Sequence, residues 1–167
     1  GILSFGVKDL TSKFATSLPL TFTYRFANNG NDRVNPSGNI TIKNTFGMTS
    51  TSLNANKVLG NVLPNSVRRF DITWGDNAPL PTTASFIDTV KYQYKNFALG
   101  MYTATLDLSF ASAGKDSKSV TLYILPWQLI LVVLVGLIVL WVIVHLIIKH
   151  HDRVIIQQLR RMQRRRE

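Results

Sequence analysis

Trp127 to Ile148 is an apolar run of 22 residues without a formal charge, and the 19 residues after it hold seven Lys and Arg and two acids. Wound as a helix at about 1.5 Å per residue, the run is roughly 33 Å long, enough for a hydrocarbon core of about 30 Å with slight tilt. Seventeen of its residues are Leu, Ile or Val. At roughly −0.3 to −0.6 kcal/mol each near a bilayer centre, they outweigh Gln128, Gly136 and His145. The run predicts one membrane crossing over 125–148. A signal peptide is excluded by its C-terminal position and by basic residues that follow it.

Flanking charge predicts orientation. Lys149, Arg153, Arg160, Arg161, Arg164, Arg165 and Arg166 lie after the run, while only Lys115 and Lys118 lie near its start. The positive-inside bias therefore predicts a cytoplasmic tail over 149–167 and an outside domain over 1–124, in a single-pass protein of the plasma membrane. Trp127 falls at the outer interface, where aromatic side chains sit at headgroup level, and Pro126 marks the break between domain and helix. The formal charge of +10 divides evenly: +5 for residues 1–126 (12 basic, 7 acidic) and +5 for residues 149–167 (7 basic, 2 acidic). A polybasic segment just inside a membrane reads as a topology determinant and a binder of anionic headgroups, at about 1 kcal/mol per basic residue near the surface. The named tail cations are the candidate headgroup contacts, and nucleic acid is not predicted as a partner.

There is no cysteine, so an outside domain must be held by a hydrophobic core instead of disulfides, which 120-odd residues can supply. Exported domains without disulfides point mildly to a bacterial source. The chain opens at Gly1 without Met, which predicts a processed chain or the C-terminal piece of a longer protein.

Leu18, Leu20, Phe22, Tyr24 and Phe26 alternate with Pro19, Thr21, Thr23 and Arg25, the period of two that marks a half-buried strand. Asn28-Asn29-Gly30-Asn31 ends it, and Asn35-Pro36-Ser37-Gly38 turns the chain into Ile40 and Ile42. Phe70, Ile72 and Trp74 alternate in the same way after the turn Pro64-Asn65-Ser66. Late in the domain Tyr102, Ala104, Leu106, Leu108 and Phe110 lead through Gly114-Lys115-Asp116 to Val120, Leu122 and Ile124, a terminal hairpin. With an opening strand near Ile2 to Val7, seven to nine strands are predicted and no helix before residue 127. The fold class predicted is mainly β: an antiparallel sandwich of immunoglobulin type, then the transmembrane helix and a basic helical tail. No Cys-Trp-Cys arrangement is present, so the architecture is Ig-like without being antibody-like.

The segments Asn29-Gly30-Asn31, Pro36-Ser37-Gly38-Asn39-Ile40-Thr41-Ile42, Phe46-Gly47, Val62-Leu63-Pro64-Asn65-Ser66-Val67-Arg68-Arg69-Phe70, Trp74, Gly100-Met101-Tyr102-Thr103-Ala104 and Leu125-Pro126-Trp127 together resemble the membrane-proximal Ig-like domain of bacterial single-pass surface proteins. Such domains occur in candidate-phylum bacteria, and are more distantly similar to domains of WxL-interacting cell-wall proteins. The resemblance implies fold and topology; its motifs are turn and core residues and carry over no catalytic or binding residue. The chain departs from the pattern by inserting Pro79 to Leu99, in which Val90, Tyr92 and Tyr94 alternate with Lys91, Gln93 and Lys95. This insertion reads either as an extra edge strand whose lysines discourage edge pairing or as a binding surface built on an added segment. Lys91, Tyr92, Tyr94 and Lys95 are the candidate partner-binding residues.

His145, His150 and His151 all lie in the run or tail, and the only Glu is Glu167. The outside domain thus lacks His, Cys and Glu, which removes His-based triads, thiol nucleophiles and the usual zinc sets together. No enzyme activity, metal or cofactor is predicted. Asp71 and Asp76 flank Trp74 without calcium-loop spacing. His145 is three residues from the inner end of the run and reads as an interfacial side chain. In the tail Ile155, Leu159 and Met162 recur at i, i+4 and i+7 with arginines around them, an amphipathic pattern suited to headgroups or to another protein. Two functions follow as expectations. One is a non-enzymatic surface protein whose ectodomain binds a cell-wall polymer or protein partner close to the membrane. The other is a structural subunit of a membrane complex, with the β domain as spacer.

Overall fold

The computed structural model describes residues 1–10, 12–75, 78, 80, 81, 83–110 and 114–164, the last fourteen of these as backbone. Residues 1–127 form one compact unit and 128–167 another.

Among the described residues the first unit holds eight strands and a short helix: β1 Ile2–Val7, β2 Phe14–Ala15, β3 Leu20–Asn28, β4 Ser37–Lys43, β5 Thr49–Asn54, β6 Ser66–Trp74, α1 Phe86–Lys95, β7 Gly100–Phe110 and β8 Gly114–Ile124. They make two sheets, one ordered β1-β3-β6 and one ordered β2-β8-β7-β4-β5. Pairing is antiparallel throughout except for β2, whose Phe14 and Ala15 run parallel to Tyr123 and Ile124. The wholly antiparallel expectation is corrected there. β2 follows β1 of the other sheet and lies far from β8 in the chain, so no hairpin forces the antiparallel direction.

Period-two alternation accounts for the core. From the first sheet come Phe22, Tyr24, Phe26, Phe70 and Trp74; from the second Ile40, Ile42, Ala104, Leu106, Leu108, Leu122 and Ile124, all in one cluster. Aromatic rings join the sheets at both ends: Phe26 meets Phe110 at 5.0 Å and Trp74 meets Tyr102 at 5.1 Å, each edge to face. Full burial of such a side chain contributes roughly 1.5–3 kcal/mol, so these facing rows hold the two sheets together. At Gly38 the strands leave no room for a side chain, since a Cβ would lie 1.9 Å from the Asp107 carbonyl oxygen on β7.

One flank of the domain is closed by cross-sheet hydrogen bonds. The Ile2 amide donates to Asp116 Oδ2 at 2.7 Å, and Lys118 Nζ donates to the Leu3 carbonyl at 2.8 Å, tying β1 to β8. The opposite flank ends in β5 and β6, whose outer edges pair with no named strand.

Three further expectations need correction. The segment read as an extra edge strand is α1, and it lies before residue 127, where no helix was predicted. Its alternation of Val90, Tyr92 and Tyr94 is real but short, and the capping signal outweighs it: Ser85 accepts from the Asp88 amide at 3.2 Å and donates to the Asp88 carboxylate at 2.6 Å. The buried positions then fall at Gln93 and Asn96, with Thr89 half-buried, at helical spacing. The terminal hairpin exists, but Gly114-Lys115-Asp116 opens β8 instead of turning the chain, with Gly114 opposite Phe110 and Asp116 opposite Leu108.

The described part of the second unit lies in α2, Trp127–Arg164, whose first residue belongs to the first unit. Its first 24 residues, Trp127–His150, form a segment long and apolar enough to cross a membrane, and its most apolar stretch is not buried among the described residues.

Candidate binding surfaces

α1 presents the residues singled out by sequence. Because a helix turns about 100° per residue, Tyr92 and Tyr94 lie on different faces. Tyr92 is half-buried and its hydroxyl donates to the Ala78 carbonyl at 2.7 Å; partial burial raises its pKa above the ordinary 10.0. Tyr94 is 76% exposed. Lys91 and Lys95, one turn apart, are exposed beside it. Three of the four residues thus share an outward face and Tyr92 braces the helix from behind. Ile87, four residues before Lys91, is also exposed and extends that face. At the start of the helix the Ser85 hydroxyl, through its hydrogen bond, holds the Asp88 carboxyl below its ordinary 3.8, with Lys91 adding a small attraction.

A second surface had no sequence signal. Between the free edges of β5 and β6 runs a cleft of about 930 Å³, lined among others by Ser52, Asn54, Lys57, Arg68, Arg69 and Asp71. The guanidinium of Arg68 lies 5.4 Å from the Phe70 ring centroid and donates to the Asn61 carbonyl at 2.7 Å, which fixes its place on the rim. Arg69 pairs with Asp71 at 3.3 Å, and Thr23 donates to the same carboxylate at 2.7 Å. Lys57 is exposed on the opposite wall. Ala55 and Phe70 also line the cleft, and behind them lies Tyr24, fully buried, stacked on Phe70 at 4.8 Å and donating to the Ala55 carbonyl at 3.0 Å. Burial pushes the Tyr24 hydroxyl well above the ordinary tyrosine pKa, slightly opposed by the charge of Arg68. Asn56 shapes the far end. Its amide donates to Asn35 Oδ1, Pro36 O and Gly60 O within 2.9 Å, and its oxygen accepts from the Gly60 amide at 2.7 Å.

The cleft escaped sequence reading because it belongs to two strands of different sheets, and β5, Thr-Ser-Thr-Ser-Leu-Asn, shows almost no apolar alternation. Its polarity is what an unpaired edge requires.

Of the membrane candidates, Trp127 opens α2, is 49% exposed and donates its amide to the Leu125 carbonyl at 2.8 Å. Lys149 is exposed on α2. Arg153, Arg160, Arg161 and Arg164 lie on the same helix; Arg165 and Arg166 lie outside the described residues, as does Asp76. The rings of Trp141 and His145, one turn apart, stack at 5.7 Å.

No family model and no curated protein matches the chain. Among solved structures it is similar to an X-ray structure of a Northeast Structural Genomics Consortium target, at 15% identity and a TM-score of 0.35, over 72% of this chain and 82% of that one. A likeness of that size carries no argument about fold or function.

Proposed function

We propose that the chain is a non-enzymatic, membrane-anchored surface protein whose Ig-like sandwich stands outside the membrane and binds an anionic cell-wall polymer close to it. The observation that carries this reading is the join. β8 ends at Ile124 and, after Leu125 and Pro126, Trp127 begins a 24-residue apolar segment that is not buried among the described residues. A lipid core removes that apolar surface from water, and the seven cations beyond Ile148 favour the cytoplasmic side for the tail.

The strand arrangement supports the Ig-like reading. In order, β1, β3 and β6 take the places of the first, second and fifth strands of such a fold, and β8, β7 and β4 those of its opposed sheet, with β5 added at the edge. That order agrees with the resemblance to membrane-proximal domains of bacterial surface proteins.

For the partner, the β5–β6 cleft is the surface of choice. It is concave, it lies along a free flank, and Lys57, Arg68 and Arg69 on its walls outnumber Asp71. The protein in detergent micelles, sedimented with a polyglycerol-phosphate polymer, tests this. Lys57→Glu with Arg69→Glu weakens binding by about tenfold or more, and Lys91→Glu with Lys95→Glu on α1 does not. Loss confined to the α1 variant moves the site to α1; no binding by the unaltered protein removes the polymer.

The two-residue join also favours the spacer reading, because it holds the domain too close to the bilayer for far-reaching adhesion. A stoichiometric membrane partner that co-purifies after removal of residues 1–124 distinguishes it.

A further inference from the structure

One end of the β domain gathers exposed apolar side chains around the point where the chain leaves for α2. Gly100, the first residue of β7, pairs with Ile124, the last of β8. Leu99 and Leu125, the next residues outward, are each 48% exposed, and Phe97 is 58% exposed. The turn between β4 and β5 is pinned to the same place: Thr45 Oγ1 donates to the Met101 carbonyl and accepts from the Met101 amide, each at 3.1 Å. That turn is built to hold its tip outward. Asn44 Oδ1 accepts from the Phe46 and Met48 amides at 3.0 and 3.1 Å, and Gly47 takes a φ of 75°, which glycine adopts without strain. The result is a phenylalanine 83% exposed at the apex, with Met48 at 59% beside it. Lys43 precedes the turn and Lys95 closes α1 just before Phe97; both are exposed.

Side chains of this kind on an ordered turn mark a surface that something else covers. The length of the join identifies what. Three Cα-to-Cα steps separate Ile124 from Trp127, a reach of about 10 Å at most, while the headgroup layer is itself about 5–8 Å deep. With Trp127 at the interface, the Ile124 end of the domain has no way to stand clear of it. Aromatic and aliphatic groups at the boundary and lysines among anionic headgroups match the two chemistries of that layer.

We propose that this end of the domain, led by Phe46 with Met48, Phe97, Leu99 and Leu125, is a lipid-contacting face seated in the headgroup region of the membrane that α2 crosses. The proposal rests on the reading of α2 as a span.

The chain has no cysteine, so a single introduced thiol carries the only label. The whole chain is reconstituted in phosphatidylcholine–phosphatidylglycerol vesicles with a polarity-sensitive dye at Phe46→Cys, and separately at Met48→Cys, at Val58→Cys and at Val139→Cys. Val58, 78% exposed at the opposite end of the domain, is the control for apolarity alone; Val139, inside the apolar segment, is the control for the span. The dye at 46 and at 48 shifts to the blue, loses most of its emission to bromine-bearing lipids and resists aqueous iodide, while that at 58 does the reverse. Iodide quenching at 46 and 48 equal to that at 58, with 139 still quenched by bromolipid, overturns the proposal and leaves the span intact. Protection at 46 and 48 from both quenchers also overturns it, because protein then covers the face. A dye at 139 that bromolipid does not quench overturns both readings.

Discussion

The indole of Trp74, at the end of β6, meets the ring of Tyr102, third residue of β7, edge to face at 5.1 Å. This contact joins the two sheets at the end from which the chain leaves the domain, and Phe22 stacks on the same indole at 6.4 Å. Trp74→Ala opens a cavity that neither sheet can close, since each is held by its own ladder. The expected loss is about 3–5 kcal/mol, roughly 10–20 °C in the melting temperature of the β domain. Calorimetry of the whole protein in micelles measures it. A loss within about 0.5 kcal/mol, as at an ordinary surface site, contradicts the role given to this pair.

Tyr24 gives the domain an alkaline limit. Its hydroxyl donates to the Ala55 carbonyl from full burial, and the folded-state pKa lies above the ordinary 10.0. The folded state therefore holds this proton where the unfolded chain releases it. The contribution is complete below about pH 10 and is lost as pH rises from there toward the folded value. Tyr24→Phe is expected to cost about 1 kcal/mol at neutral pH, because the Ala55 carbonyl loses its donor. It also makes stability fall less steeply above pH 10. Parallel alkaline melting curves for the two proteins check both parts; identical slopes contradict the second.

Acid acts on α1. Ser85 caps the helix and keeps the Asp88 carboxyl below its ordinary value, so the charged form supports the helix at pH above the ordinary carboxyl range. That support disappears as pH falls through the lowered folded value. Ser85→Ala is expected to cost about 1 kcal/mol locally at neutral pH and to return the Asp88 titration toward 3.8. Amide exchange over 86–95 and carboxyl titration by NMR read the two effects. Unchanged exchange in this segment contradicts the cap.

Much of the β framework was legible because a buried strand has to alternate. Phe22, Tyr24 and Phe26, Ile40 and Ile42, and Leu106 and Leu108 are buried where the period of two puts them. β5 was not legible, since an edge strand with only Leu53 against the core has no reason to alternate. α1 was misread because Val90, Tyr92 and Tyr94 mimic a strand over five residues, whereas the Ser85-x-x-Asp88 cap that decides the matter lies outside that window. The α1 face was half legible: Lys91, Tyr94 and Lys95 share it, and Tyr92 turns inward. The cleft was illegible because Lys57 and Arg69 come together only when two sheets are stacked.

The account stands on the β domain and the tail lying on opposite sides of one membrane. Single thiols placed at Asn31→Cys, in the loop after β3, and at Gln163→Cys, near the end of α2, report this directly through a membrane-impermeant maleimide applied to intact cells. The expected result is labelling at 31 without permeabilisation and at 163 only after it, with both proteins in the membrane fraction. Labelling at both sites in intact cells, the reverse order, or recovery of the chain in the soluble fraction contradicts the account.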